Sequence, residues 1–245
     1  MTILKRAVAT ITAWLISTTP AWALDHAAYA DLLSRYATEE GVDYQAWHQQ
    51  PADRQMLADV VEGYGRVKTT GLAANERKAL LINLYNAAMI KAVLDNYPIK
   101  SVTEIGLIPH SIFKKRWIAF DGDKVSLDEL EKGTLLKEFP DARVHFAVNC
   151  ASISCPPLRT EPYVGGRLDA QLDEQTRRFA VSRHAAEVDG DGQRIAFSKL
   201  FKWYKDDFGV SSPAEYLNRY RDEPLPIDYR VDWQPYDWSL NQSRN

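Results

Sequence analysis

The sequence predicts an α+β fold, a helix-rich single domain packed on a small, mainly antiparallel sheet. Three observations predict it. Residues Ala73 to Asn96 are apolar almost all round a helix, as expected of a buried one. Two short extended runs pair across Asp/Gly turns. Val144 to Val148 is a near-continuous apolar run broken by Ala-Ser-Ile-Ser-Cys-Pro-Pro, the pattern of a buried strand entering a tight turn. The 245 residues allow one large domain or two small ones, and no repeat or linker divides them. With 45% apolar and 26% charged residues, the chain has the balance of a folded protein rather than a disordered one.

The chain opens on a targeting segment. Lys5 and Arg6 precede the apolar stretch Ala7 to Thr19, and Ala21-Trp22-Ala23 supplies the small residues a signal peptidase reads. A signal peptide over 1–23 is expected, with the domain over 24–245. Pro20 interrupts a stretch already short for the ~20 residues of a span, so an uncleaved anchor is the weaker reading. The mature chain is expected in the periplasm or secreted, with no membrane span and a first residue of Leu24. N-terminal sequencing of exported protein checks this, and a retained Met1 contradicts it. Removing Lys5 and Arg6 takes the formal charge from −3 to −5. No basic run with interleaved aromatics appears, so nucleic acid is not an expected partner.

Tyr29, Leu32, Leu33 and Tyr36 recur at helical spacing in the first helix, which Gly41 ends. Val42-Asp43-Tyr44 reads as a short extended piece. Asp53 to Val67 is a second helix with Met56, Leu57, Val60, Val61 and Tyr64 as its apolar stripe. The long helix follows and carries Asn83 and Asn86, three apart and so on one side. Buried amides need partners. These two either bind loop backbone or line a pocket.

Trp117 to Phe120 and Lys124 to Leu127 form a hairpin about Asp121-Gly122-Asp123. Ser126 and Glu129 fit a capping box for a short helix that carries Glu131 and ends near Gly133. Beyond the cysteine turn, Leu168 to Phe179 is helical. A second hairpin turns on Asp189-Gly190-Asp191-Gly192. A calcium loop starting at Asp189 requires Glu at its twelfth position, where Leu200 stands, so the turn reading holds. Phe197 to Phe208 is a helix stopped by Gly209, and Ser211-Ser212-Pro213 caps the last one. Trp233, Tyr236 and Trp238 are expected to strap the tail across the body.

These motifs resemble a known family. Asn83-Leu84-Tyr85-Asn86-Ala87, Tyr97-Pro98, Leu127-Asp128-Glu129-Leu130-Glu131, His145-Phe146-Ala147-Val148-Asn149-Cys150 with Cys155-Pro156, and Phe201 to Gly209 are similar to DUF547, a domain of unknown function in bacteria and plants. Tyr236 to Asn241 resembles the closing segment of bacterial members. Members often carry Glu-His where this chain has Glu131-Lys132. The resemblance implies no reaction.

The candidate site residues are Cys155, Cys150, His145 and Glu131 for catalysis and Asn83 and Asn86 for binding. Cys150 and Cys155 are the only cysteines of the chain. In an exported protein they suit a disulfide, and four intervening residues can fold back to a ~5.5–6 Å Cα separation. The alternative is a cysteine nucleophile with a histidine base. On an extended strand His145 and Cys150 lie ~16 Å apart on opposite faces, which favours Cys155 for thiol chemistry. Glu131 is expected to orient His145 through one ring nitrogen. The spacing of His145, Cys150 and Cys155 fits no standard zinc pattern, and neither metal nor cofactor is expected. Two main readings follow: a thiol-dependent hydrolase or transferase acting on peptide-like amides, or a non-catalytic binding domain whose pocket a Cys150–Cys155 bridge shapes around an unknown ligand. A disulfide exchanger is the third, without the Cys-x-x-Cys spacing of thioredoxin-like sites.

Overall fold

The computed structural model describes residues 25–243. The targeting segment and its cleavage point lie outside the described residues.

The helix Ala74–Asn96 is the axis of the fold, and every residue from Lys78 to Ile90 is buried. An amphipathic helix buries one stripe; this one is enclosed on all sides and needs no polar face. Helix Ala27–Tyr36 packs on helices Tyr44–His48 and Pro51–Arg66, and those two pack against the long helix. Asp43 caps the second of these by accepting the Ala46 N–H at 2.9 Å. Pro51 opens the third, where a missing N–H costs nothing.

The hairpin Ile118–Phe120/Asp123–Val125 turns on two residues with positive φ, Asp121 at 53° and Gly122 at 86°. That pairing suits the right-handed twist of the strands. Its backbone approaches the Pro51–Arg66 helix so closely that a Cβ on Gly65 would stand 2.1 Å from the Ala119 carbonyl oxygen. The capping box forms as read: Ser126 Oγ accepts the Glu129 N–H at 3.1 Å, and Glu129 accepts the Ser126 N–H at 2.8 Å. Gly133 does not stop the element. A wide π-helical turn spans Glu129–Leu135 and runs on into Leu136–Glu138.

The apolar run Val144 to Val148 is not a strand. Ala142–Phe146 is a 3-10 helix, started by Asp141, whose carboxylate accepts the Arg143 N–H. Residues Val144 to Asn149 are all buried. A run enclosed on every side has no polar positions to reveal its period, so strand and buried helical turn look alike in sequence. The sheet is accordingly not one layer built on a central strand. Among the described residues it is three small pieces: a two-stranded pair, Ala37–Thr38 with Gly41–Val42; the hairpin above; and a three-stranded sheet. In the last, Arg194–Phe197 pairs antiparallel with Ala186–Asp189 and parallel with Arg230–Trp233 from the tail.

Two apolar clusters meet near Phe146. One surrounds the long helix, and the other gathers Phe179, Phe197, Phe201, Phe208 and Tyr216. The tail stitches distant segments together. Leu240 N–H donates to Lys100, Asn241 N–H to Ala151 and Ser243 N–H to Val42. Gly41 makes that passage possible. Its φ is +147°, and a Cβ there would stand 2.2 Å from the Asn241 carbonyl oxygen.

Candidate functional site

A cleft of about 510 Å³ opens where the long helix, the π-helical turn, the cysteine turn and the tail meet. Glu131, His145, Cys150 and Cys155 all line it. Six of the lining residues are Phe, Tyr or Trp: Tyr85, Phe113, Trp203, Tyr204, Tyr236 and Trp238. Trp203 lies 4.8 Å from Tyr236 and Tyr236 lies 4.6 Å from Trp238, measured between ring centroids. Such faces hold flat or cationic groups by stacking and quadrupole attraction.

Glu131 reaches the cleft because the π-helical turn widens the backbone and directs its side chain inward, where it is 7% exposed. The Tyr204 hydroxyl donates to its Oε1 at 3.0 Å, and Tyr85 donates as well. Burial pushes the carboxyl above its ordinary range, and the Lys132 charge and the Tyr204 bond offset this only in part. Lys132 does not pair with Glu131; its ammonium is held by Asp128 at 2.8 Å.

His145 is not oriented by Glu131. Its Nε2 faces Asp207 Oδ2 at 2.8 Å, and its ring lies 4.1 Å from that of Tyr204. A carboxylate only accepts, so the neutral ring carries its proton on Nε2 and leaves the Nδ1 lone pair free of Asp207. Burial holds the imidazole below its usual value, while Asp207 raises it in part. Tyr204 touches both Glu131 and His145 and so links them.

Cys150 and Cys155 form a disulfide with Cα atoms 6.2 Å apart. While bridged, neither is a nucleophile. Ala151, at φ 59°, turns the chain, and Asn149 Oδ1 steadies the turn by accepting the Ala151 N–H at 2.9 Å. The closed loop is short, so its chain-entropy contribution is only about 2 kcal/mol.

Asn83 and Asn86 do not line the cleft. Asn83 binds both backbone groups of Tyr163, at 2.8 and 2.9 Å. Asn86 donates to the Ala147 carbonyl at 2.9 Å and accepts the Asn149 N–H at 2.8 Å. Each amide uses its donor and its acceptor on one loop, which leaves little capacity for a ligand. Asn86 therefore sets the site from behind, by fixing the segment that carries His145 and Cys150.

Asp207, Tyr204, Trp203, Tyr236 and Trp238 complete the site. The Trp203-Tyr204-Lys205-Asp206-Asp207 segment stands out in sequence as a motif, yet nothing local to it points to His145. Among the described residues no group of three or more His, Cys, Asp or Glu side chains could hold a metal ion, and no helix is long and apolar enough to cross a membrane.

Fold and site together define a helix-rich α+β domain with an aromatic cleft, a buried carboxyl and a disulfide in the cleft wall. Residues 69–180 match the model of DUF547, described as a protein of unknown function. No curated protein and no solved structure matches it. The matched stretch holds Glu131, His145 and both cysteines, whereas Asp207 and the Trp203, Tyr236 and Trp238 wall come from beyond it.

Proposed function

We propose that this is an exported binding domain whose cleft takes a small organic ligand with a flat apolar body and an ammonium or amine end. The observation that carries the reading is Glu131, a buried carboxyl that no Lys or Arg among the described residues pairs with and that opens onto an aromatic cleft. A buried carboxylate outside any ion pair is costly, the Lys132 charge offsets that only in part, and a ligand cation would relieve the rest. Trp203, Tyr236 and Trp238 would cover the ligand body by stacking and cation–π attraction. The thiol-dependent hydrolase or transferase reading requires a free cysteine, and the bridge removes both. Export rests on the basic, apolar and small-residue order of residues 5 to 23.

Titration with a panel of aromatic and aliphatic amines, followed by tryptophan fluorescence, tests the reading. Amines are expected to bind more tightly as pH rises above 4.5, the ordinary carboxyl value, because ionised Glu131 is the form they meet. Glu131→Gln should weaken binding at neutral pH by at least about thirtyfold, or about 2 kcal/mol, and flatten the pH dependence. The same variant should be as stable as wild type near pH 4 and more stable at neutral pH. The folded-state value is raised, so wild type loses stability as pH climbs from the unfolded value through the folded one. Equal amine binding in Glu131→Gln, or none in wild type, removes the proposal.

A further inference from the structure

The two sulfurs of the Cys150–Cys155 bridge stand in different surroundings. Cys150 is half-buried and Cys155 is buried, at 7% exposure, and both face the cleft. The Cys150 backbone N–H points at Cys155 Sγ from 2.9 Å. The Tyr236 hydroxyl lies 3.5 Å from Cys155 Sγ and 3.3 Å from Cys150 Sγ. Ser152 Oγ donates to Tyr236 at 3.3 Å. Lys114, which forms no ion pair among the described residues, lines the same cleft.

A disulfide opens when a thiolate attacks one sulfur and the other leaves with the electron pair. The reaction is fastest when the attacked sulfur is accessible and the leaving thiolate is stabilised. Cys150 meets the first condition. Cys155 meets the second through the Cys150 backbone N–H aimed at it from 2.9 Å, since the hydroxyls favour neither sulfur: Tyr236 reaches both, and Ser152 Oγ lies 3.1 Å from Cys150 Sγ. Burial holds the Tyr236 hydroxyl up at about 12, so it remains a donor at neutral pH.

We propose that the bridge is a thiol–disulfide exchange site, attacked at Cys150 with Cys155 as leaving group, and that its substrate is an exported dithiol with an apolar flank suited to the aromatic wall. In the first step the substrate thiolate bonds to Cys150 Sγ, the Sγ–Sγ bond breaks, and the electron pair goes to Cys155 Sγ. In the second step the substrate's other thiolate attacks the mixed disulfide and Cys150 leaves as thiolate. One dithiol is oxidised to a disulfide, and one protein bridge is reduced by the same two electrons. The proton from each substrate thiol ends on a protein thiol or in solvent. The activity is independent of any amine held in the cleft, and the two are tested by different signals.

The test uses the folded, oxidised wild-type chain. Reduced glutathione is added as a monothiol probe, the reaction is quenched with acid, and the adduct is mapped by peptide mass spectrometry. The adduct is expected on Cys150, with Cys155 free. Reduced dithiothreitol should open the bridge without denaturant and yield one oxidised dithiothreitol per chain. Tyr236→Phe should slow opening about tenfold, the effect of one lost hydrogen bond to a charged group. Glutathione on Cys155 instead overturns the assigned direction. A bridge that survives dithiothreitol until urea is added overturns the activity altogether. If Tyr236→Phe fails to fold, the wild-type adduct map and the dithiothreitol stoichiometry still decide.

Discussion

Asp141→Ala is expected to destabilise the protein by about 3–5 kcal/mol, the range found when one partner of a buried ion pair is removed. Asp141 accepts from the Lys78 ammonium and takes two bonds from the Arg143 guanidinium, at 2.9 and 2.8 Å. Lys78 sits in the enclosed part of the long helix with its side chain 7% exposed. Without Asp141 its charge has no partner in an apolar surround. The same carboxylate starts the 3-10 helix by accepting the Arg143 N–H at 3.0 Å. The loss thus reaches the segment that carries His145. Urea denaturation at neutral pH measures the effect, and a midpoint within experimental error of wild type contradicts it.

The pH dependence of this pair has a definite sign. The hydrogen bonds and charges of Arg143 and Lys78 overcome burial and hold the Asp141 carboxyl down at about 2, against an ordinary 3.8. A depressed carboxyl value stabilises above the unfolded value. That stability is present above about pH 4 and is lost as pH falls towards 2. A shift of this size corresponds to about 2 kcal/mol. Asp141→Ala should therefore lose much less stability between pH 5 and pH 2 than wild type does.

Asn86→Leu is expected to cost about 3 kcal/mol, because it leaves the Ala147 carbonyl and the Asn149 N–H buried without partners. Its consequence extends beyond stability. Asn149 donates from Nδ2 to the Pro156 carbonyl at 2.8 Å, and its Oδ1 receives Asn241 Nδ2 at 3.3 Å. Tyr44 in turn donates to Asn241 Oδ1 at 3.0 Å. This chain of side-chain contacts ties the long helix, the cysteine turn, the tail and the N-terminal helices together. Asn86→Leu should lower the urea midpoint and also speed reduction of the Cys150–Cys155 bridge by loosening the turn. Asn83→Leu, whose bonds go to Tyr163, should lower stability alone. Equal reduction rates in the two variants would separate Asn86 from the turn.

Much of the fold was legible because local rules decide it. The Ala74–Asn96 helix is written in apolar residues that leave no solvent face. The Asp121-Gly122 hairpin is written in its turn residues, and the Ser126/Glu129 box in two side chains that satisfy each other's backbone. Burial of Asn83 and Asn86 followed from their place in that helix. The 3-10 helix Ala142–Phe146 was not legible, since Val144 to Asn149 is buried throughout and no period survives.

The sequence by itself determined a helix-rich α+β domain, its long buried helix, the tight turn between two cysteines, and the residues with chemistry to offer. Tertiary structure alone decided who partners whom. His145 takes Asp207, 62 residues away, and Glu131 takes Tyr204, 73 residues away. The cysteine turn takes Tyr236 from the tail. Helices, caps and turns are set by neighbours within a few residues, and their signals are written side by side. A hydrogen bond across the fold depends on how whole elements pack, and spacing along the chain carries no record of that.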